Sequence, residues 1–219
     1  LEGARLRMVS LDKAKLPKSV FAAVEADLCV IGGDASDADF RGGRFKKCIF
    51  RRTKLDRADF SGAALNQTLF TESGGEEVVF QGANLDKGRM GNNCRLAGAD
   101  FRNIRMKHGC FKDSDLSGAA FGGSVIHASI LENCDLQKAD FRRVSAKETR
   151  FTKSNLEGAD LRQLNLMTGS LRKARLVKAD LRDANLFAVD FYKSTMGETR
   201  LEGANLKLSL LHRRTDLLS

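Results

Sequence analysis

The sequence predicts an all-β solenoid whose wall turns a corner every five residues, and three observations carry that prediction. Large apolar residues recur at every fifth position, small residues stand two places before them, and a mostly polar residue separates the two. The large series runs Phe40, Phe45, Phe50, Leu55, Phe60, Leu65, Phe70, Phe80, Leu85 and Met90, failing only at Gly75. After a six-residue step it resumes at Leu96 and holds to Leu211, interrupted only by the small Ala146. Ala38, Cys48, Ala58, Ala99, Ser129 and Cys134 are among the small partners. Both positions must point inward with the polar residue outward, and in-out-in alternation is strand geometry.

Two other arrangements fail on period. Steps of five rotate an apolar row around a helix with 3.6 residues per turn and never keep one face. In a flat strand an odd period puts alternate centres on opposite faces. The chain must therefore turn a corner within each repeat.

The triplet Ala-Asp/Asn-Leu/Phe stands at 26–28, 38–40, 58–60, 83–85, 99–101, 139–141, 159–161, 179–181, 184–186 and 204–206. In this the chain resembles the pentapeptide-repeat family. The resemblance implies a right-handed quadrilateral β-helix with four pentapeptides per square coil and the large centres stacked inside. Residues twenty apart then form columns, with one coil of twenty-one at the step near Gly91 to Cys94. One column reads Phe40, Phe60, Phe80, Phe101, Phe121, Phe141, Leu161, Leu181, Leu201, a phenylalanine ladder giving way to leucine.

Taken in order, residues 1–16 form a first repeat coil, because Leu1-Glu2-Gly3-Ala4-Arg5-Leu6 echoes Leu201-Glu202-Gly203-Ala204-Asn205-Leu206. A start inside a repeat, on Leu1, reads as a domain cut from a longer chain. Residues 17–35 lose the period, and Pro17 followed by Val20, Phe21, Val24 and Leu28 predicts a short helical insertion. Residues 36–211 are the β-helix, with a projecting loop expected at 71–77, where Gly75 replaces a centre. The apolar tail predicts a cap at 212–219 over the last coil. Gly42, Gly62, Gly82 and Gly98 lie two residues after a centre, where tight corners and unusual dihedrals favour glycine.

Composition bounds the function. A formal charge of +9 and a pI near 9.5 favour an acidic partner: an acidic protein face first, with nucleic acid or anionic lipid as alternatives. The sequence has neither the apolar run of a membrane helix nor a signal-peptide pattern. Five cysteines with no CxxC pair indicate neither a disulfide framework nor a zinc finger. These features place the chain in the cytoplasm, or among proteins exported by a dedicated bacterial system without a signal peptide. No phosphate loop, GxSxG, HExxH or dinucleotide fingerprint occurs, so the expectation is a non-enzyme without cofactor or metal. His108 and His127 on adjacent coils lack a third ligand, and Cys110 alone among the regular-repeat cysteines should face outward.

On the outside, Asp39, Asp59, Asp100, Asp140, Asp160 and Asp180 should stand beside Arg41, Arg102, Arg142, Arg162 and Arg182 as a charge-paired ribbon. A neighbouring face carries Arg51, Arg52, Lys112, Lys153, Arg172, Lys173 and Lys193 beside its centres, continued by Arg213 and Arg214, and is expected to be unneutralised. Near the C-terminal end Met167, Phe187, Tyr192 and Leu208 occupy outward positions and suggest a partner-binding or homodimer patch. The resemblance implies a protein-interaction scaffold, as in bacterial effector and secretion-system proteins. It also implies an alternative, topoisomerase (gyrase) protection by DNA mimicry. A DNA mimic should be acidic, so the +9 charge disfavours that alternative.

Overall fold

A five-residue repeat leaves backbone N–H and C=O groups open above and below each coil, and the next coil takes them. Thus Phe101 donates to the Ala120 carbonyl at 2.7 Å, and Ala120 donates back to Ala99 at 3.0 Å. The computed structural model describes residues 1–209 and contains no helix among them. Ten strands are regular: β1 Arg5–Arg7, β2 Ser10–Lys15, β3 Glu25–Asp27, β4 Val30–Asp34, β5 Arg44–Lys46, β6 Ile49–Lys54, β7 Leu69–Thr71, β8 Arg89–Gly91, β9 Cys110–Lys112 and β10 Ile130–Glu132. They form two parallel sheets, β1-β3-β5 and β10-β9-β8-β7-β6-β4-β2. Single parallel bridges such as Asp140↔Asp160 and Asp160↔Asp180 continue the stack beyond them.

Four walls enclose the core. Their centres are, in chain order, Phe101, Phe121 and Phe141 on the first; Met106, Ile126 and Ala146 on the second; Phe111, Leu131 and Phe151 on the third; and Leu116, Leu136 and Leu156 on the fourth. All of these are buried. Rings of the first wall stack face to face, with Phe121 4.9 Å from Phe101 and 4.6 Å from Phe141. Phe50 and Phe70 begin a second ladder at 4.6 Å. Each aromatic pair contributes about 0.5–1.5 kcal/mol beyond area burial.

The polar residue before each centre has a structural duty. The Asp100 carboxylate accepts from the backbone N–H of Arg102 at 2.9 Å, Asp115 from Ser117 at 3.0 Å, and Asn84 from Asp86 at 3.0 Å. This two-residue reach closes the corner, which is why Asp and Asn recur there. Two residues after the centre the backbone turns left-handed, whether the residue is Gly62 (φ 65°) or Arg57 (φ 55°). A Cβ on Gly62 would meet open space, so the dihedral and not lack of room favours glycine. Buried hydroxyls stitch the coils: Ser124 donates to the Phe101 carbonyl at 2.8 Å and accepts from the Ile104 amide at 3.1 Å. Both bonds offset the cost of burying the hydroxyl.

Three expectations are corrected. Residues 17–35 form β3 and β4 instead of a helical insertion. Phe21, Ala26 and Ile31 are the centres there, while Val20 and Leu28 are 42% and 43% exposed. The triplet 26–28 is therefore out of register, and its Leu28 points outward. The phase was hidden by a four-residue step at Gly32 to Gly33, where the pairing of β4 with β6 shifts. Residues 71–77 do not project either: Thr71 and Ser73 are buried and Gly74 bridges both Lys54 and Arg95. A Cβ at Gly75 would collide with the backbone of Leu55 and Asp56, so the wall runs closer there than a leucine allows. The expected long coil is present, with Gly74↔Arg95 bridged across twenty-one residues. The cap expected at 212–219 lies outside the described residues, as do Leu210, Leu211, Arg213 and Arg214.

Candidate interaction surface

The first wall carries the paired ribbon as expected. Arg102, Arg142 and Arg162 each grip the aspartate of their own coil through Nε and Nη2, with Nη2 to Oδ2 at 2.6, 2.7 and 2.6 Å. Hydrogen bonding from these arginines holds Asp100 and Asp140 below the usual carboxylate range, against a smaller desolvation effect. The arginine side chains are about half exposed, so the pairs neutralise the wall more than they stabilise it.

The expected basic residues do share one edge, since all follow centres of the third wall. Four of the seven are neutralised. Arg51 reaches Asp12 at 2.6 Å, Arg52 reaches Glu72 at 3.1 Å, Lys153 reaches Glu132 at 3.7 Å and Arg172 reaches Asp190 at 2.9 Å. Lys112, Lys173 and Lys193 have no carboxylate within ion-pair distance among the described residues. Arg172 and Lys193 also flank the Tyr192 ring, at 4.6 and 5.3 Å from its centroid.

Sequence reasoning missed the other edge of the same wall. Lys46, Lys47, Lys87, Lys107 and Lys147 follow centres of the second wall and have no carboxylate partner among the described residues. Arg89 and Arg150 stand on the third wall itself, before its centres. Twenty-residue columns drawn for the second wall would have revealed these cations. Between the two edges the outward column of the third wall is partly apolar: Val30, Ile49 and Leu69 pair in register, Arg89 comes next, and Cys110 and Ile130 follow it.

The apolar patch is divided. Met167 and Phe187 are half-buried in one column after second-wall centres, and Leu208 lies one column over, 76% exposed. Tyr192, 46% exposed, sits on the next wall. Leu208 is the last outward apolar group before the described residues end.

Burial pushes Cys134 up to about 12 and Cys48 up to about 11. Cys110, half-buried in β9, is raised too, chiefly by desolvation, with Arg89 and Lys112 opposing. His127 contacts the Ser145 hydroxyl at 2.7 Å and is lowered by burial and then by Lys147. No helix among the described residues is long and apolar enough to cross a membrane.

Comparison with known proteins matches this geometry. A pentapeptide repeat region model matches residues 90–161, and a model of pentapeptide repeats (eight copies) matches residues 36–71 and 170–207. No curated protein sequence matches the chain. Among solved structures, a trypsin-treated form of QnrB1, a plasmid-mediated fluoroquinolone resistance protein, is 16% identical with a TM-score of 0.56, covering 98% of this chain and 93% of that one. HetL, involved in heterocyst differentiation regulation in the cyanobacterium Nostoc sp. strain PCC 7120, is 19% identical with a TM-score of 0.36, covering 93% of this chain and 90% of that one. Residue pattern, coil geometry and family models agree: the chain belongs to the pentapeptide-repeat family.

Proposed function

We propose that the chain is a non-catalytic binding rod whose third wall takes an acidic protein partner. One observation supports the reading: an outward column of Ile49, Leu69, Cys110 and Ile130, broken by Arg89, runs between two edges bearing cations that lack a carboxylate partner among the described residues. Lys46, Lys107 and Lys147 stand on one edge, and Lys112, Lys173 and Lys193 on the other. Unpaired cations remain available to an incoming carboxylate, whereas those of the first wall are already engaged. Apolar contacts at the middle and charges at the rim are the ordinary anatomy of an interface. The continuous hydrogen-bonded stack keeps the spacing of these groups fixed, so little order has to be created on binding. A place within a bacterial effector or secretion-system protein belongs to the same reading. The cations oppose topoisomerase protection through DNA mimicry, because they present the wrong sign to a DNA-binding groove.

A labelled peptide of alternating glutamate and leucine, followed by fluorescence anisotropy at 0.05 and 0.3 M salt, tests this. Binding should weaken about tenfold in the double variant Lys112→Glu, Lys173→Glu and stay unchanged in Arg142→Glu. Equal losses in both variants, or tighter binding of a DNA duplex than of the peptide, would overturn the reading.

A further inference from the structure

The paired ribbon of the first wall lacks its aspartate at two rungs, Val79 and Ala120; the coil below supplies an arginine, Arg102, at Ala120 but a serine, Ser61, at Val79. Before the centres the column reads Asp100, Ala120, Asp140, Asp160, Asp180, and after them Arg102, Gly122, Arg142, Arg162, Arg182. Where the ribbon is complete, an arginine serves two carboxylates. Arg41 grips Asp39 at 2.7 Å and faces Asp59 of the next coil at 3.9 Å. Arg142 grips Asp140 at 2.7 Å and faces Asp160 at 3.6 Å, and Arg162 repeats this with Asp160 and Asp180 at 2.6 and 3.9 Å. Arg102 has Asp100 alone, at 2.6 Å, because Ala120 occupies the next rung.

The same rung leaves a backbone donor idle. In complete coils the aspartate accepts from the N–H two residues on, as Asp140 does from Arg142 at 2.9 Å. Ala120 offers no such acceptor, and the Gly122 N–H has no partner among the described residues. Because Gly122 and Gly123 carry no side chains, the rung opens as a groove lined by Arg102, Asn103, Arg142 and Arg143. Arg143 has no carboxylate partner among the described residues; its Nε donates to Gln163 at 3.0 Å. Two carboxylates border the groove, Asp140 and Asp183. Asp140 is already held by Arg142 through Nε at 2.9 Å and Nη2 at 2.7 Å.

We propose that the vacancy at Ala120 is a carboxylate-binding site. An incoming carboxylate takes the place that an aspartate at position 120 would fill, accepting from the Gly122 N–H while meeting the guanidinium of Arg102. The carboxylate can be that of a small free acid or an acidic side chain on a protein. The site lies on the first wall and stands independently of the third-wall reading.

Amide and arginine Nε shifts of the ¹⁵N-labelled chain, titrated with succinate and separately with the tripeptide Gly-Glu-Gly, test the proposal. Saturable shifts at Gly122, Gly123 and Arg102 are expected, with a midpoint of about millimolar. They should vanish in Ala120→Asp, which restores the residue found on neighbouring rungs and therefore keeps the fold. They should persist in Arg41→Gln, which leaves the vacancy intact. Tighter binding of the tripeptide points to a protein-borne carboxylate, and equal or weaker binding to a free acid; either supports the site. Shifts that rise linearly without saturating, that survive in Ala120→Asp, or that appear equally at Ser61 and Gly62 on a filled rung would overturn it.

Discussion

Coils above Leu96 and coils below it keep different counts. Above, every bridge spans twenty residues, as in Asp115↔Asp135 and Asp140↔Asp160. Below, Val20↔Asp39 spans nineteen and Gly74↔Arg95 twenty-one, yet centres stay aligned on both sides of each irregularity. The stack therefore requires bridging residues and centres to meet their neighbours, not a constant residue count. A deficit or surplus is absorbed where the backbone is permissive. The short coil turns at Gly32 and Gly33, and the long one at Asn92 and Asn93, both left-handed (φ 54° and 64°).

The largest expected effect sharpens the contrast between the middle of the stack and its irregular start. Phe121, fully buried between two parallel rings, should lose about 3–5 kcal/mol on substitution by alanine. Phe21 is also buried, but it stacks on only one ring, Phe40 at 5.0 Å, beside the small centre Ala26. Phe21→Ala should cost less. Urea titration of the two variants decides, and equal losses would mean that the rings act as filler without a ladder contribution.

A smaller effect separates the irregular corner from the regular one. Gly33 has φ 88°, and a Cβ there would strike the backbone of Ala14 and lie 2.8 Å from the Lys13 carbonyl carbon. Gly33→Ala should cost about 1–3 kcal/mol from overpacking alone. Gly62→Ala, in a regular corner facing open space, should cost only the left-handed dihedral, about 1–2 kcal/mol. A thermal scan in which Gly33→Ala is the milder of the two would show that the short coil is slack.

From Leu96 onward the centres, the small inward positions, the Phe101–Phe121–Phe141 ladder and the aspartate–arginine ribbon could be read directly, since one phase governs all four walls. Below Phe40 the reading failed because a single missing residue shifts the phase. Phe21 and Val24, inward as centre and small partner, then mimic helical spacing when scored against the wrong register. The 71–77 segment was misread because an absent centre resembles a loop, although Gly74 and Ser73 hold their places in the wall. Surface charge was legible residue by residue but not pair by pair. Arg51 and Asp12 are thirty-nine positions apart and meet across Gly32, which lies between them without a side chain. Lys87, Lys107 and Lys147 are far apart in sequence and share an edge only in the folded stack.

The smallest expected effect concerns acid, and it tests whether the ribbon differs energetically from the walls it neighbours. Asp39, Asp100, Asp140 and Asp180 all lie below the usual carboxylate range, first because an arginine donates to each. A depressed folded value means that the unfolded chain binds protons more readily. The stabilisation is then complete above the unfolded carboxylate value of about 3.9 and fades as pH falls through the lower folded values. Arg142 is 55% exposed at its side chain and Asp140 27%, so solvent screening keeps the contribution of the pair small. Arg142→Ala should therefore cost little at pH 7 and less still at pH 3, below the unfolded carboxylate value of about 3.9. The urea midpoints of wild type and variant should converge as the pH is lowered from 6 to 3. A gap that stays constant over that range would assign the role of Arg142 to packing of its aliphatic stem along the wall, and the ribbon would then be no different from an ordinary solvated face.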